Sequence, residues 1–180
     1  TEQVAGRARV ETGATVATGA DGRGSLSLDS GAWLLVDRSS SLVAELGRVQ
    51  LDAGRIWVDA SQSEETVIDT AALHLVAHDA ALAVAIEGGE TVVYVGAGEV
   101  AFTAVGAAGE GAEGTVAQGE TLRAAAGQAP RLAPEAMWDD WTGGLADPAR
   151  TRLRSVEPLG VLSGRRLDEI GIARTPLPVR

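Results

Sequence analysis

A turn formula that recurs along the chain constrains the fold more than any other feature. Residues 28–36 read LDSGAWLLV and residues 51–58 read LDAGRIWV, so an Asp precedes a Gly by two positions and an apolar run follows. The Asp carboxylate can accept backbone hydrogen bonds in a tight turn, and the Gly can take a positive φ without a Cβ clash. The runs that follow are rich in strand-forming residues. The formula predicts short strands joined by tight turns.

Looser copies of the formula extend this pattern. The glycines concerned are Gly31, Gly54, Gly98 and Gly119, at intervals of 23, 44 and 21 residues. The middle interval is close to two steps of about 22 residues, a repeat long enough for two short strands and two turns. We therefore predict an all-β fold, a β-roll or jelly-roll-like sandwich that is built from repeated hairpins of short strands.

The middle of the chain supports strands rather than helices. The span from Thr66 to Ile86 is rich in Ala, but its β-branched residues favour two strands with a turn at His78 and Asp79. Residues 91–95 carry the strongest strand pattern, and residues 100–105 are predicted to pair with them.

The pattern changes after about residue 128. Pro134 is typical of a helix start, and Trp138 and Trp141 follow at helical spacing. We predict a β-domain over residues 1–128 and a helical and extended appendage over residues 129–180.

Composition excludes several function classes. The net charge is −10, and no Arg cluster is interleaved with aromatic residues, so nucleic acid is not an expected partner. The absence of Cys excludes disulfides and thiolate metal sites. No run of 18 or more apolar residues is present, so we expect no transmembrane segment in this chain.

Six short elements follow one another along the chain, at residues 18–19, 26–31, 39–42, 49–58, 93–100 and 117–120. Taken in this order, they resemble the FecR domain family, an exported bacterial β-domain. The resemblance covers roughly residues 3–125. It departs from the family pattern before the central strand, where the family usually carries Gly-Thr and this chain has Asp79 and Ala80.

This resemblance implies a non-catalytic module in the bacterial periplasm or at the cell surface. Such a module would make protein–protein contacts, with a protein partner or by self-assembly, in signalling or in a larger exported assembly. The resemblance implies no cofactor, and we assign no catalytic or cofactor-binding residue.

A metal-dependent hydrolase is the alternative enzyme interpretation. His74 and His78 are four residues apart and could form half of a metal site, with Asp69 and Asp79 as the obvious further ligands. A working site needs three or four ligands and an ordered surrounding shell. We therefore favour two ordinary histidines and assign no metal site.

The glycines at 96 and 98 superficially fit a dinucleotide fingerprint. That motif requires a helix that begins at the glycines and holds pyrophosphate at its N-terminus. The residues that follow are strand-forming instead, so a turn is the favoured interpretation.

The Trp residues offer the remaining binding candidates. Trp33 and Trp57 follow their turn glycines closely and are predicted to face the same layer as core residues. Trp138 and Trp141 could either dock on the β-domain or bind a partner. With Asp139 and Asp140 they are our candidate partner-binding residues; a carbohydrate or small-ligand site that uses exposed Trp and acidic residues is the alternative.

Overall fold

The computed structural model describes residues 10–106, 111–134 and 141–146. Within these ranges the chain forms eleven strands in one mixed sheet and no helix. The strands are β1 (Ala14–Ala17), β2 (Gly24–Ser27), β3 (Trp33–Val36), β4 (Ser41–Glu45), β5 (Arg48–Asp59), β6 (Thr66–Asp69), β7 (Leu73–Glu87), β8 (Glu90–Ala104), β9 (Glu113–Ala117), β10 (Thr121–Ala125) and β11 (Arg131–Ala133). The all-β prediction is confirmed, and the predicted C-terminal helices fall on residues outside the described ranges.

Three long strands organise the sheet, where only short strands were predicted. β5 has 12 residues, and β7 and β8 have 15 each. Each long strand pairs with different strands in its two halves. The sheet therefore has two parts, and β5, β7 and β8 belong to both. The first half-sheet runs in the order β1, β4, β5, β6, β7, β8 and β9, and the second half-sheet in the order β2, β3, β5, β7, β8, β10 and β11.

All pairings within this sheet are antiparallel except that of β5 with β6. Antiparallel neighbours can be joined by tight turns, which matches the Gly-rich sequence. In the described part of the chain, β1 and β9 are the edges of the first half-sheet, and β2 and β11 are the edges of the second.

The four glycines of the repeated formula all have positive φ, but they serve two different purposes. Gly31 and Gly119 lie in turns between strands, as predicted. Gly54 and Gly98 instead lie inside β5 and β8, near the points where these strands change neighbours. A positive φ within a strand bends it, because the regular ladder is interrupted there. The prediction that every copy is a corner between strands was therefore wrong for two of the four.

A bulge replaces the turn that was predicted at His78 and Asp79. β7 continues through both residues, Asp79 has a φ of 47°, and the register with β8 shifts between His78 and Ala81. Residues 91–95 and 100–105 do not pair with each other either. Both stretches fall largely within β8, and their strand residues pair with β7. A local pattern identifies strands, but it cannot show that two of them are one bent strand.

Alternate residues of both half-sheets meet in one hydrophobic core. From the second half-sheet the core takes Leu34, Ile56, Leu82, Val95 and Leu122, and from the first it takes Leu42, Leu51, Leu75, Phe102 and Val116. These side chains are buried. A fully buried residue of this size stabilises the fold by about 1.5–3 kcal/mol. The shared core holds the two half-sheets together in a sandwich-like arrangement.

The sheet extends past residue 128. β11 pairs with β10, with Leu132 opposite Leu122. Residues 141–146 also lie against the sheet. The division of the chain at residues 128 and 129 stays a prediction.

Candidate functional site

The outer face of the second half-sheet, turned away from the core, carries an aromatic cluster. Trp57 lies opposite Leu35 on one side and Ala83 on the other, and Tyr94 lies opposite Ala83. Trp33 lies on the same face and is half-buried. The small Ala83 between two large rings lets both rings pack over it. We call these five side chains the aromatic face.

The chain covers this face with its own segment 141–146. Trp141 is only 6% exposed and belongs to one apolar cluster with Trp57, Tyr94 and Ala146. The Ala146 N–H donates to Thr142 Oγ1 at 3.1 Å, which closes the segment into a compact turn. Trp141 is therefore docked on the β-domain.

A buried ion-pair network lies next to the docked segment. The Asp37 carboxylate is 2% exposed; its Oδ1 accepts from Arg23 Nε at 2.6 Å, and its Oδ2 accepts from Arg55 Nε. The guanidinium carbon of Arg55 also lies 5.0 Å from the centroid of the Trp141 ring. A cation in this position is attracted by the electrons of the ring face. Arg55 thus connects Asp37 with the docked Trp141.

The network lowers the pKa of Asp37. Burial alone raises the pKa of this carboxyl, because it disfavours the charged form. Hydrogen bonds from the Arg55 side chain, the Arg38 backbone and the Arg23 side chain, together with the charge of Arg55, oppose that effect and outweigh it. The pKa of Asp37 therefore lies below its ordinary value, and Asp37 carries its negative charge at neutral pH.

Three of the short family-like elements meet at this network. Thr18 Oγ1 donates to the Asp37 carbonyl and accepts from the Ser40 N–H at 3.0 Å. Ser40 Oγ accepts from the Arg55 N–H at 3.0 Å and donates to the Arg55 carbonyl at 3.2 Å. A Cβ on Gly54 would lie 2.5 Å from the Ser40 Cα, so only Gly allows this approach. These residues are a structural junction that holds Arg55 in place.

Gly96 lies next to the aromatic face and leaves room for the Trp57 ring. A Cβ at this position would lie 2.7 Å from the Trp57 ring, a distance that real Cβ contacts do not reach. Sequence reasoning took Gly96 as part of a turn and missed this role. It also missed Tyr94, which the strand register places near Trp57, and Arg55, which lies beside Trp141 only because the segment 141–146 docks there.

The dinucleotide interpretation is excluded by the same strand. Gly96 and Gly98 lie inside β8, which continues to Ala104, so no helix begins at these glycines. Without a helix N-terminus the motif has no group to hold pyrophosphate.

The two histidines lie on the outer face of the first half-sheet. His74 Nδ1 is 2.7 Å from Asp69 Oδ1, and Arg48 Nε donates to Asp69 Oδ2 at 2.6 Å. His78 lies on the same face, opposite Glu99. Among the described residues, no three His, Cys, Asp or Glu side chains lie close enough together to hold a metal ion. Asp69 therefore contacts His74 and Arg48 in an exposed polar cluster.

The remaining candidate site residues have different outcomes. Trp138, Asp139 and Asp140 lie outside the described residues. Trp57 is 1% exposed and Trp141 is buried, so neither offers an open ring face on which a sugar could stack.

The described ranges contain no helix that is long and apolar enough to span a membrane.

Comparisons with known proteins agree with this architecture. A family model described as FecR protein matches residues 14–101. Two solved structures, each of a proposed anti-sigma factor from Parabacteroides distasonis, share the fold with TM-scores of 0.53 and 0.52 at 11% and 9% identity. Each match covers 67% of this chain, which spans 58% of the solved chain. No curated protein matches this chain in a sequence search.

Proposed function

Because residues 14–101 of this chain match the FecR protein family, we propose that the chain is a non-catalytic module that binds another protein. The binding serves signalling or a larger exported assembly, in the periplasm or at the bacterial cell surface. The family match supports a regulatory role, and the fold shared with a proposed anti-sigma factor agrees with signalling.

The observation that carries the proposal is the docked segment on the aromatic face. The face already holds a stretch of irregular polypeptide through one Trp, which packs beside Trp57 and under the Arg55 guanidinium. Buried Trp, Tyr and Arg side chains are the residues that dominate protein–protein affinity. This part of the sheet is therefore built to hold polypeptide.

The proposed partner contacts lie directly before the docked Trp141. Trp138, Asp139 and Asp140 precede it by one to three residues. They are thus the sequence neighbours of the residue that is held on the aromatic face. We assign Trp138 as the apolar contact and the two carboxylates as the polar contacts with the partner.

Site-specific photo-crosslinking in bacterial cells tests this assignment. A photoreactive residue is placed at Trp138 and, as a matched control, at Leu46, which is 70% exposed in the turn between β4 and β5. We expect a crosslinked protein at position 138 that is absent at position 46 and is lost when Trp141→Ala is added. Identical crosslinks at both positions, or none at 138, would contradict the assignment.

The proposed location has its own test. The chain contains no Cys, so Leu46→Cys introduces one exposed thiol at a site outside the core. We expect a membrane-impermeant maleimide to label this thiol once the outer membrane is permeabilised, or in intact cells if the module is at the surface. Labelling only after the inner membrane is broken would rule out both locations.

A further inference from the structure

The segment 141–146 is packed separately from the main core of the protein. Its apolar side chains, Trp141, Leu145 and Ala146, belong to the cluster on the aromatic face. None of them belongs to the core that the two half-sheets share, and in the described part of the chain the segment adds no strand to the sheet. Units with separate contacts can open while the rest of a protein stays folded. The sheet can therefore keep its core when this segment leaves.

Docking buries little apolar surface for the length of backbone that it orders. Trp141 is buried in the docked segment, whereas Leu145 stays partly exposed. Fixing the backbone of each residue costs conformational entropy, which opposes this gain. Gly143 and Gly144 both have positive φ, and glycine loses more conformational freedom than any other residue when it is fixed. Only a modest free-energy difference therefore separates the docked segment from a released one.

The docked state also leaves one polar group of the aromatic face unsatisfied. The Trp57 Nε1–H is buried and has no hydrogen-bond acceptor in the described part of the chain. A buried N–H without an acceptor costs free energy, whereas water is the acceptor for an exposed one. Trp57 lies on the outer face of the sheet, where the segment 141–146 covers its ring. This cost therefore lowers the stability of the docked state relative to the released state.

Arg55 is the residue that opposes release. Its guanidinium carbon lies 5.0 Å from the centroid of the Trp141 ring, and its Nε donates to the Asp37 carboxylate. Ser40 Oγ bonds both its backbone N–H and its backbone C=O. The sheet thus holds this cation in place before the segment arrives, so less side-chain entropy is lost when Trp141 docks.

We propose that the segment 141–146 is a reversible cover, which leaves the aromatic face and returns to it as one unit while the sheet stays folded. The contact between Arg55 and Trp141 sets the docked fraction. Release opens the outer side of Trp57 and Tyr94 to solvent. Minor conformations of this kind are populated at about 0.1–10%. The inference goes beyond the proposed function and concerns the isolated chain, so it stands whether or not a partner binds.

Thiol labelling of the purified full chain under native conditions tests the opening, because the chain has no Cys of its own. Ala146 is 6% exposed in the docked segment, and Ala44, 8% exposed in the main core, is the matched control. Ala146→Cys should react about tenfold faster than Ala44→Cys or more, since only the second needs global unfolding. Low urea should therefore accelerate Ala44→Cys alone. Leu46→Cys, at an exposed position, should react about 10- to 1,000-fold faster than Ala146→Cys.

Three results would overturn the proposal. If Ala146→Cys reacts as slowly as Ala44→Cys and with the same urea dependence, the segment leaves only when the whole domain unfolds. If it reacts as fast as Leu46→Cys, the segment is not docked in solution. Adding Trp141→Ala should raise the rate at position 146 to that of Leu46→Cys. An unchanged rate would show that position 146 opens without Trp141 and that the segment does not move as one unit.

Arg55→Lys in the Ala146→Cys chain tests the role of Arg55. Lysine keeps the positive charge but lacks the planar guanidinium that stacks on an aromatic ring. We expect the labelling rate at position 146 to rise several-fold; this rate reports the local opening, so a general loss of stability does not change it. Arg23→Lys is the matched control, because Arg23 donates to the same Asp37 carboxylate but makes no ring contact within the described ranges. A rate that Arg55→Lys leaves unchanged, or that both substitutions raise equally, would refute this role.

Discussion

The Arg55 guanidinium carbon lies 5.0 Å from the centroid of the Trp141 ring, although 86 residues separate the two in the chain. Arg55 also donates to the buried Asp37 carboxylate, so its position is held from the other side. One side chain thus joins the ion-pair network of the β-domain to the segment that covers the aromatic face.

Trp141→Ala should destabilise the fold and uncover the aromatic face. Removing a buried Trp side chain costs about 3–5 kcal/mol in a core, and we expect about 2–4 kcal/mol here because the segment lies on an outer face. Urea unfolding gives the free energy, and the fluorescence of Trp57 should shift to longer wavelength as water reaches it. Leu46→Ala, at an exposed position, is the control and should change stability by about 0.5 kcal/mol or less. Equal effects of the two substitutions would show that Trp141 does not contribute.

Asp37→Asn should lower the free energy of unfolding by about 2–3 kcal/mol. It leaves two arginines without their carboxylate, and breaking a fully buried pair costs about 3–5 kcal/mol. The smaller value applies because Arg23 and Arg55 are 43% and 27% exposed. Asp52→Asn keeps the oxygen that accepts from Gln50 and is the matched control. If the two substitutions had the same small effect in denaturant unfolding, the network would be energetically unimportant.

The stability should fall in acid because of Asp37. The pKa of Asp37 is lowered in the folded state, so its contribution is fully present above the unfolded-state pKa of about 3.9. The contribution is lost as the pH decreases through the lower folded-state pKa. Urea midpoints measured from neutral pH to strong acid should decrease less steeply for Asp37→Asn than for the wild type. Parallel pH profiles for the two proteins would exclude Asp37 as the cause.

Gly54→Ala should be more destabilising than Gly119→Ala. Both glycines have positive φ, 81° and 85°, so both substitutions carry a backbone cost of about 1–2 kcal/mol. Only at Gly54 would the new Cβ also collide with the Ser40 backbone, whereas nothing lies within 4 Å at Gly119. We expect the difference to reach about 2 kcal/mol or more in thermal or urea unfolding. Equal losses would mean that the junction at Ser40 can move aside.

Local patterns predicted much of the fold. The strand pattern between Thr66 and Ile86 was identified despite its Ala content, because β-branched residues favour extended backbone. Trp33 and Trp57 share one face, as predicted, but it is the outer face: Trp57 is buried in the cluster with Trp141 and not in the main core, and Trp33 is half-buried. The short elements that resemble FecR domains were also sufficient to identify the family, since residues 14–101 match its family model.

The candidate site was less predictable, because its residues come from distant parts of the chain. Trp141 was recognised as a candidate, but Arg55, Tyr94 and Gly96 were not. Their roles depend on which strands are neighbours and on which face each side chain lies. Shifting the register by one residue would move every side chain of a strand to the other face, so strand identity alone does not locate a site.

The amino-acid sequence by itself determined the strand-forming segments and the glycines at which the backbone takes a positive φ, because both depend on local sterics. Only the tertiary structure decided whether such a glycine ends a strand, as at Gly31, or bends one, as at Gly54. Only the tertiary structure likewise decided that Trp141 packs against Arg55. Long-range packing selects among conformations that are locally equivalent, since the burial of apolar surface is gained only when distant segments meet.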